Sequence, residues 1–355
     1  MGEYDLRVYT PELLPQVLDV LRHLWGPDEA SNQAYFQWKY LDNPAVAQPL
    51  CIVALRQNAV IGFRGYFATR YHVPGQADPV LVLVPGDTCV HPDHRRWGLS
   101  VRMGELAMRS FAGIAPLFLN MTATHSSLPG YLKMGFLPLA DKAYVSAYTL
   151  PGLLAYLATY RQRSGRPIPT VRFGTQGNIS LSDQPRPAEM AGIIAQQPPL
   201  AQKIALVQDC AFFRWRFANP KRKYLFYFYQ EQQQSTGYVV LGLSPNRRRG
   251  YVLDCADSDG VSVEKLLQHI ISQREVDILS IYRFCMADWP DGAVTRLRLR
   301  QRGLLRMLEQ RKTGELPLLI RPVKTTYIEA DWHLGTFDVR DIRNWEIKEI
   351  GSDAV

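Results

Sequence analysis

No stretch of this 355-residue chain stays apolar for the 18 or so residues that a membrane span needs. Its first residues, MGEYDLRVYT, lack the basic and apolar regions of a secretory leader. A cytoplasmic protein without a membrane span is therefore expected. Cysteine is scarce: Cys51, Cys89, Cys210, Cys255 and Cys285 are odd in number, scattered, and mostly set in apolar runs such as LCIVAL and YVLDCA. With no CxxC or HxxxH spacing, they read as reduced core thiols rather than disulfides or metal ligands. No recognised nucleic-acid module is present, and no nucleic-acid partner is expected.

Composition, at 46% hydrophobic and 21% charged residues, is that of a globular protein with ample apolar surface to bury. The length suits two domains of about 150 residues each. A net charge of +8 favours anionic partners. It is clustered at Arg95-Arg96, Lys221-Arg222-Lys223 and Arg247-Arg248-Arg249, the last two in turn-like stretches that read as solvated loops.

One segment occurs twice. Tyr35, Phe36, Trp38, Tyr40, Asn43 and Pro44 in YFQWKYLDNP answer to Phe212, Phe213, Trp215, Phe217, Asn219 and Pro220 in FFRWRFANP. After each box comes an alternating apolar run (LCIVAL; YLFYFY), a polar break and a Gly-aromatic strand (IGFRGYF; TGYVVLGL), the pattern of a hairpin. Then follow a run ending in Asp and Cys (VLVPGDTCV; YVLDCAD), a helix-period segment (SVRMGELAMRSF; SVEKLLQHIISQ), another strand (PLFLNM; VDILSIY), and a closing helix with Gly135 or Gly303 at its C-cap. This order predicts two tandem α/β units, β-α-α-β-β-β-α-β-α-β, over 1–150 and 171–340, with a linker at 151–170 and a tail at 341–355. The Trp boxes would supply core area, with stacking under a sugar as the alternative.

The stretch VHPDHRRWGLSVRMGELA bridges a predicted strand and a helix. A phosphate is well held at such a junction, because a helix N-terminus presents unpaired N–H groups and a favourable dipole. Gly98 would let the backbone approach closely, and Arg95 and Arg96 would add charge-assisted contacts. Val90, Pro92, Arg95, Gly98 and Ser100 stand as V-x-P-x-x-R-x-x-G-x-S. This resembles the acyl-CoA pyrophosphate loop of the GCN5-related N-acetyltransferase (GNAT) family, [QR]-x-x-G-x-[GA], with Ser100 replacing the last small residue.

That resemblance implies acetyl-CoA or another acyl-CoA as cosubstrate and no metal. The cofactor would be bound by Thr88, Cys89, Val90, Arg95, Arg96, Trp97, Gly98, Leu99, Ser100 and Asn120, with the pantetheine arm paired along 88–90 like an added strand. The Val90 amide would face the oxyanion. Tyr131, four residues before Gly135-Phe136, matches the family's Y-x-x-x-G-F motif and is by resemblance the general acid. An acceptor amine must lose a proton before attack. Asp87 is the first candidate base, with His91 and His125 as alternatives.

The second unit has ADSDGVS in place of HPDHRRWGLS, and Leu299 in place of Tyr131, so its chemistry is expected to be lost. The FxWKYxxNP box and the late DWHLGTFD resemble GNAT acyltransferases of bacterial surface-polysaccharide synthesis. The implied reaction is N-acylation of a small-molecule amine, an amino sugar or a nucleotide-linked one, by a monomer or homodimer. A Fem-like aminoacyl transferase and a non-catalytic acyl-CoA sensor or scaffold are the alternatives.

Overall fold

The computed structural model describes residues 4–140, 144–149, 154, 173–197, 202–243, 249–273, 276–282, 305–310 and 317–352. Nearly all of the expected linker, the landmarks Leu299 and Gly303, the pair Arg247-Arg248, and Cys285 lie outside them.

The first half runs β1 (Asp5–Val8), α1 (Leu14–Trp25), α2 (Glu29–Phe36), β2 (Leu50–Arg56), β3 (Ala59–His72), β4 (Val80–Val90), α3 (Leu99–Phe111), β5 (Leu117–Asn120), α4 (Leu128–Lys133), β6 (Leu137–Ala140) and β7 (Tyr144–Thr149). Through β6 this is the order read from the sequence. The continuous apolar run of β2 has a simple cause: the strand is covered on both faces. Ile52 and Ala54 pack with Met103 and Phe111 of α3, while Cys51, Val53 and Leu55 pack with Val17 and Leu21 of α1. At the hairpin between β2 and β3, Gln57 and Asn58 both take positive φ (50° and 65°), as a tight two-residue turn between right-twisted strands requires.

The second half contains β8 (Gly174–Gln176), β9 (Ile179–Ser182), α5 (Pro187–Gln196), β10 (Ile204–Leu206), α6 (Cys210–Arg216), β11 (Tyr224–Glu231), β12 (Gln234–Leu243), β13 (Arg249–Asp257), α7 (Ser262–Ser272), β14 (Ile278–Tyr282), β15 (Leu305–Gln310) and β16 (Leu318–Pro322). Its hairpin repeats the same turn at Gln232 and Gln233. Among the described residues no helix is long and apolar enough to cross a membrane.

Two mixed sheets result, and their membership crosses the divisions expected at 150 and 171. One has the order β1-β2-β3-β4-β5-β16-β6, the other β15-β7-β14-β13-β12-β11-β9-β8. Thus β16 enters the first sheet between β5 and β6, and β7 enters the second between β14 and β15. Periodicity cannot reveal this exchange, because a strand's alternation is the same whichever sheet accepts it. The expected tail is a further correction. Trp345, Ile347 and Ile350 are buried, and the two-residue strand Trp345–Glu346 pairs in parallel with β10.

The repeated box joins the halves. Trp38 Nε1 donates to the Trp215 carbonyl at 2.6 Å, and Trp215 Nε1 donates to the Trp38 carbonyl at 2.7 Å. Their rings stack with centroids 5.5 Å apart and planes 14° from parallel. Each copy fills the same place in the other's surface, an isologous contact within one chain. Both indoles are buried, so neither is presented for stacking under a sugar.

Candidate active site

Strand β4 pairs with β3 along its length but with β5 only at Val82 and Leu83. Beyond that point no described strand pairs with the outer edge of β4, which is open among the described residues. The His91 N–H donates to the Ile61 carbonyl at 2.8 Å, on the β3 side. By the alternation of an antiparallel ladder, the amides of Val90 and Thr88 face the open edge instead. Two polar atoms on β4 and β5 are orphaned. Thr88 Oγ1, and Asn120 Nδ2 at the end of β5, are buried without a hydrogen-bond partner among the described residues, although Asn120 Oδ1 accepts from the Thr122 N–H at 2.9 Å. Buried polar atoms rarely stay unpaired, so a polar ligand in the gap would complete them.

The chain leaves β4 through a short 3-10 turn, Pro92–His94, and Arg95 Nε donates back to the Val90 carbonyl at 3.1 Å. Arg96 (φ 67°) and Gly98 (φ 68°) then adopt left-handed backbone, which a glycine tolerates and a side chain resists. This bend turns the chain into α3. The first N–H groups of α3 have no intrahelical partner and carry the positive end of its dipole. Leu99 anchors the turn in the core, whereas Arg95, Arg96 and Trp97 are exposed beside it.

Tyr131 projects from α4 to the same place. Its buried ring centroid lies 5.0 Å from the Arg64 guanidinium, which also donates to Tyr66 OH at 2.6 Å and to the Ser100 carbonyl at 3.2 Å. Burial works against the charge of Arg64, but the Tyr131 and Tyr66 hydroxyls outweigh it and hold the guanidinium's pKa above its usual value. Arg64 thus ties the α3 turn to the tyrosine. It was not anticipated, because in IGFRGYF it alternates like a surface residue.

A cleft of about 720 Å³ brings Asp87, Thr88 and Tyr131 together, and its wall includes Trp25, Tyr35 and Lys39 from the first half and Lys221 and Arg222 from the second. Asp87 is more tightly held than the sequence led us to expect. Its Oδ1 accepts from Trp25 Nε1 at 2.9 Å, and its Oδ2 from Lys39 Nζ and Tyr40 OH, each at 2.7 Å. Burial alone would raise its carboxyl pKa, but the Lys39 ammonium and the three hydrogen bonds prevail and hold it below the usual carboxylate range. A carboxylate so stabilised is a weak proton acceptor. A bulge places Gly86 and Asp87 opposite Gly65, and a Cβ on Gly65 would collide with Tyr40 OH, so the missing side chain is what admits the tyrosine.

Other expected residues lie elsewhere. His125 is exposed and is not part of the cleft wall. His91 sits outside that wall too, between His23 and His94 at centroid distances of 5.0 and 5.9 Å. Cys89 points at α1, donating to the Val20 carbonyl at 3.2 Å, and burial pushes its thiol up to about 11. By the same alternation its N–H faces β3, so Cys89 offers the open edge neither its thiol nor its amide. The repeated box did carry one unread signal: Tyr40 differs from Phe217 by the hydroxyl that serves Asp87.

In the second half the corresponding place is closed by the chain itself. Asp259 Oδ1 accepts the N–H groups of Val261 and Ser262 at 2.9 and 2.8 Å, and Asp257 Oδ2 accepts that of Val263 at 3.0 Å, so carboxylates occupy the start of α7. Asp254 takes Tyr238 OH at 2.6 Å and Gln208 Nε2 at 2.7 Å, with Lys348 Nζ 3.5 Å away. That lysine comes from the C-terminal segment.

No protein-family model and no curated protein matches the chain. Solved structures do. A probable N-acyltransferase of Enterococcus faecalis, described as a conserved protein of unknown function, is 10% identical with a TM-score of 0.61, the match covering 92% of this chain and 74% of that one. A GCN5-related N-acetyltransferase of Anabaena variabilis is 13% identical with a TM-score of 0.60, over 91% and 73%. The fold is that of GCN5-related N-acetyltransferases. Eis1 of Mycobacterium abscessus shares it at 15% identity and a TM-score of 0.52, over 90% of this chain and 74% of its own.

Proposed function

We propose that the protein is an acyl-CoA-dependent N-acyltransferase whose single active site lies in the first half. The observation that carries this reading is the open edge of β4 beside the unpaired N-terminus of α3, with Tyr131 and Asp87 in the adjoining cleft. In the second half the same helix start is taken up by Asp257 and Asp259. One half thus keeps room for a diphosphate, and the other fills it.

In this reading the cofactor's diphosphate rests on the amides from Arg96 to Ser100, flanked by Arg95 and Arg96. Its pantetheine arm pairs with the outward amide of Val90, and Asn120 Nδ2 supplies a further donor. The amine attacks the thioester carbonyl, the oxyanion is met by the outward N–H of Thr88, which shares the cleft with Tyr131, the C–S bond breaks, and the departing thiolate takes the Tyr131 proton. Asp87, kept ionised by Lys39, accepts a hydrogen bond from the amine and orients it, and the amine's proton leaves to solvent in the open cleft. The preferred acceptor is an amino sugar, in line with the polysaccharide-synthesis resemblance.

The test is release of free coenzyme A thiol from acetyl-CoA in the presence of a panel of amines, with the product weighed by mass spectrometry. Amine-dependent release that Tyr131→Phe slows about 100-fold is expected. Tight acyl-CoA binding without acylation of any amine would instead support a sensor.

A further inference from the structure

The two copies of the repeat carry one turn with two different contents. In the first, Asn43 Oδ1 accepts the Ala45 N–H at 2.9 Å and the Asn43 carbonyl accepts the Val46 N–H at 3.4 Å. In the second, Asn219 does the same for Lys221 and Arg222, at 3.0 and 3.3 Å. Asn and Pro therefore build the turn, and the following two residues are free to vary. Ala45 and Val46 pack on the first half's core, whereas Lys221 and Arg222 form part of the wall of the first half's cleft. Nothing in the turn itself calls for two cations at that point.

Lys221 is also held in place. Its Nζ donates to Asn32 Oδ1 at 2.8 Å and lies 5.1 and 4.9 Å from the ring centroids of Trp25 and Tyr35, so the ammonium sits over two aromatic faces at the cleft wall. Against Lys39, Lys221 and Arg222 the wall sets one carboxylate, Asp87, which Lys39 already neutralises. The lining residues thus carry a net positive charge, with Asp28 a further carboxylate near Lys221 outside them.

We propose that Lys221 and Arg222 form an anion subsite contributed by the second half, and that the acceptor is an amine that also bears a phosphate. The proposal rests on the acyltransferase reading for the amine end, but the anion subsite has its own readout. The phosphate would settle on the cations from the NP turn and leave the amine near Asp87 and Tyr131. This also gives the second copy a function after the loss of its own site: it supplies the wall that selects the acceptor.

The experiment uses the full chain and two probes, glucosamine and glucosamine 6-phosphate. Binding is measured by calorimetry, and acylation by thiol release. Besides Lys221→Gln, the double variant Lys221→Ala with Arg222→Val installs the residues that the same turn already carries in the first copy. Wild type should bind the phosphorylated probe more tightly, and both variants should lower the preference for it about tenfold or more; Lys221→Arg should restore much of it. Equal binding of the two probes, or an unchanged preference in the variants, overturns the proposal. A rise in KM for acetyl-CoA with no change in preference would place the pair at the cofactor's phosphates and overturn it as well. If neither amine is acylated, glucosamine is not the acceptor's amine end, while the binding comparison still decides the subsite.

Discussion

Lys39→Met deletes the ammonium that meets Asp87 at 2.7 Å while keeping most of its apolar stem. The lysine side chain is 2% exposed and the aspartate 13%, so the pair is nearly dry. Removing one partner of a buried pair costs about 3–5 kcal/mol, because the other charge stays behind. Asp87 keeps Trp25 and Tyr40 as donors and touches the cleft, which favours the lower end, about 3 kcal/mol. For 355 residues the unfolding entropy is about 0.75 kcal/mol per kelvin, so the melting temperature should fall by about 4 °C.

The pH dependence carries the sign. In the wild type the folded carboxyl of Asp87 lies below its usual value. It therefore contributes stability that is present above about pH 4 and lost as the pH falls through the folded value. In Lys39→Met burial acts without its main opponent and lifts the carboxyl, so the variant loses stability as the pH rises through the carboxylate range. The gap between the two proteins should widen from pH 4.5 to 7.5. Thermal unfolding followed by circular dichroism at about these two pH values checks this. Adding Asp87→Asn to Lys39→Met removes the stranded charge and should recover at least half of the loss at the higher pH. A double variant no more stable than Lys39→Met would refute the electrostatic argument.

Gly65→Ala should displace Tyr40 from Asp87 and cost about 1–3 kcal/mol in denaturant unfolding, since the new Cβ would meet the tyrosine hydroxyl. Trp38→Phe keeps the stack but removes the donor to the buried Trp215 carbonyl, a loss of about 1–3 kcal/mol that the same measurement would register. Cys89, its thiol pushed up to about 11, should resist iodoacetamide at pH 8 in the folded protein, as peptide mapping would report. Tyr131→Phe should lower kcat with little change in KM for acyl-CoA, and steady-state kinetics would separate the two.

The sequence by itself determined what depends on neighbours along the chain. Apolar runs between turns specified the strands, and the ordered landmarks a duplicated α/β unit. RRWGLS located the helix start that takes a diphosphate in our reading, and YLKMGF its tyrosine, because both are local turns written in local residues. Tertiary structure alone decided what depends on residues far apart. The exchange of β7 and β16, the mutual clasp of Trp38 and Trp215, and the hold of Trp25, Lys39 and Tyr40 on Asp87 join positions up to 205 apart, as Leu117 is from Pro322. A hydrophobic pattern states that a face is buried but not against what, and a carboxylate's proton affinity is set by the charges that folding brings to it.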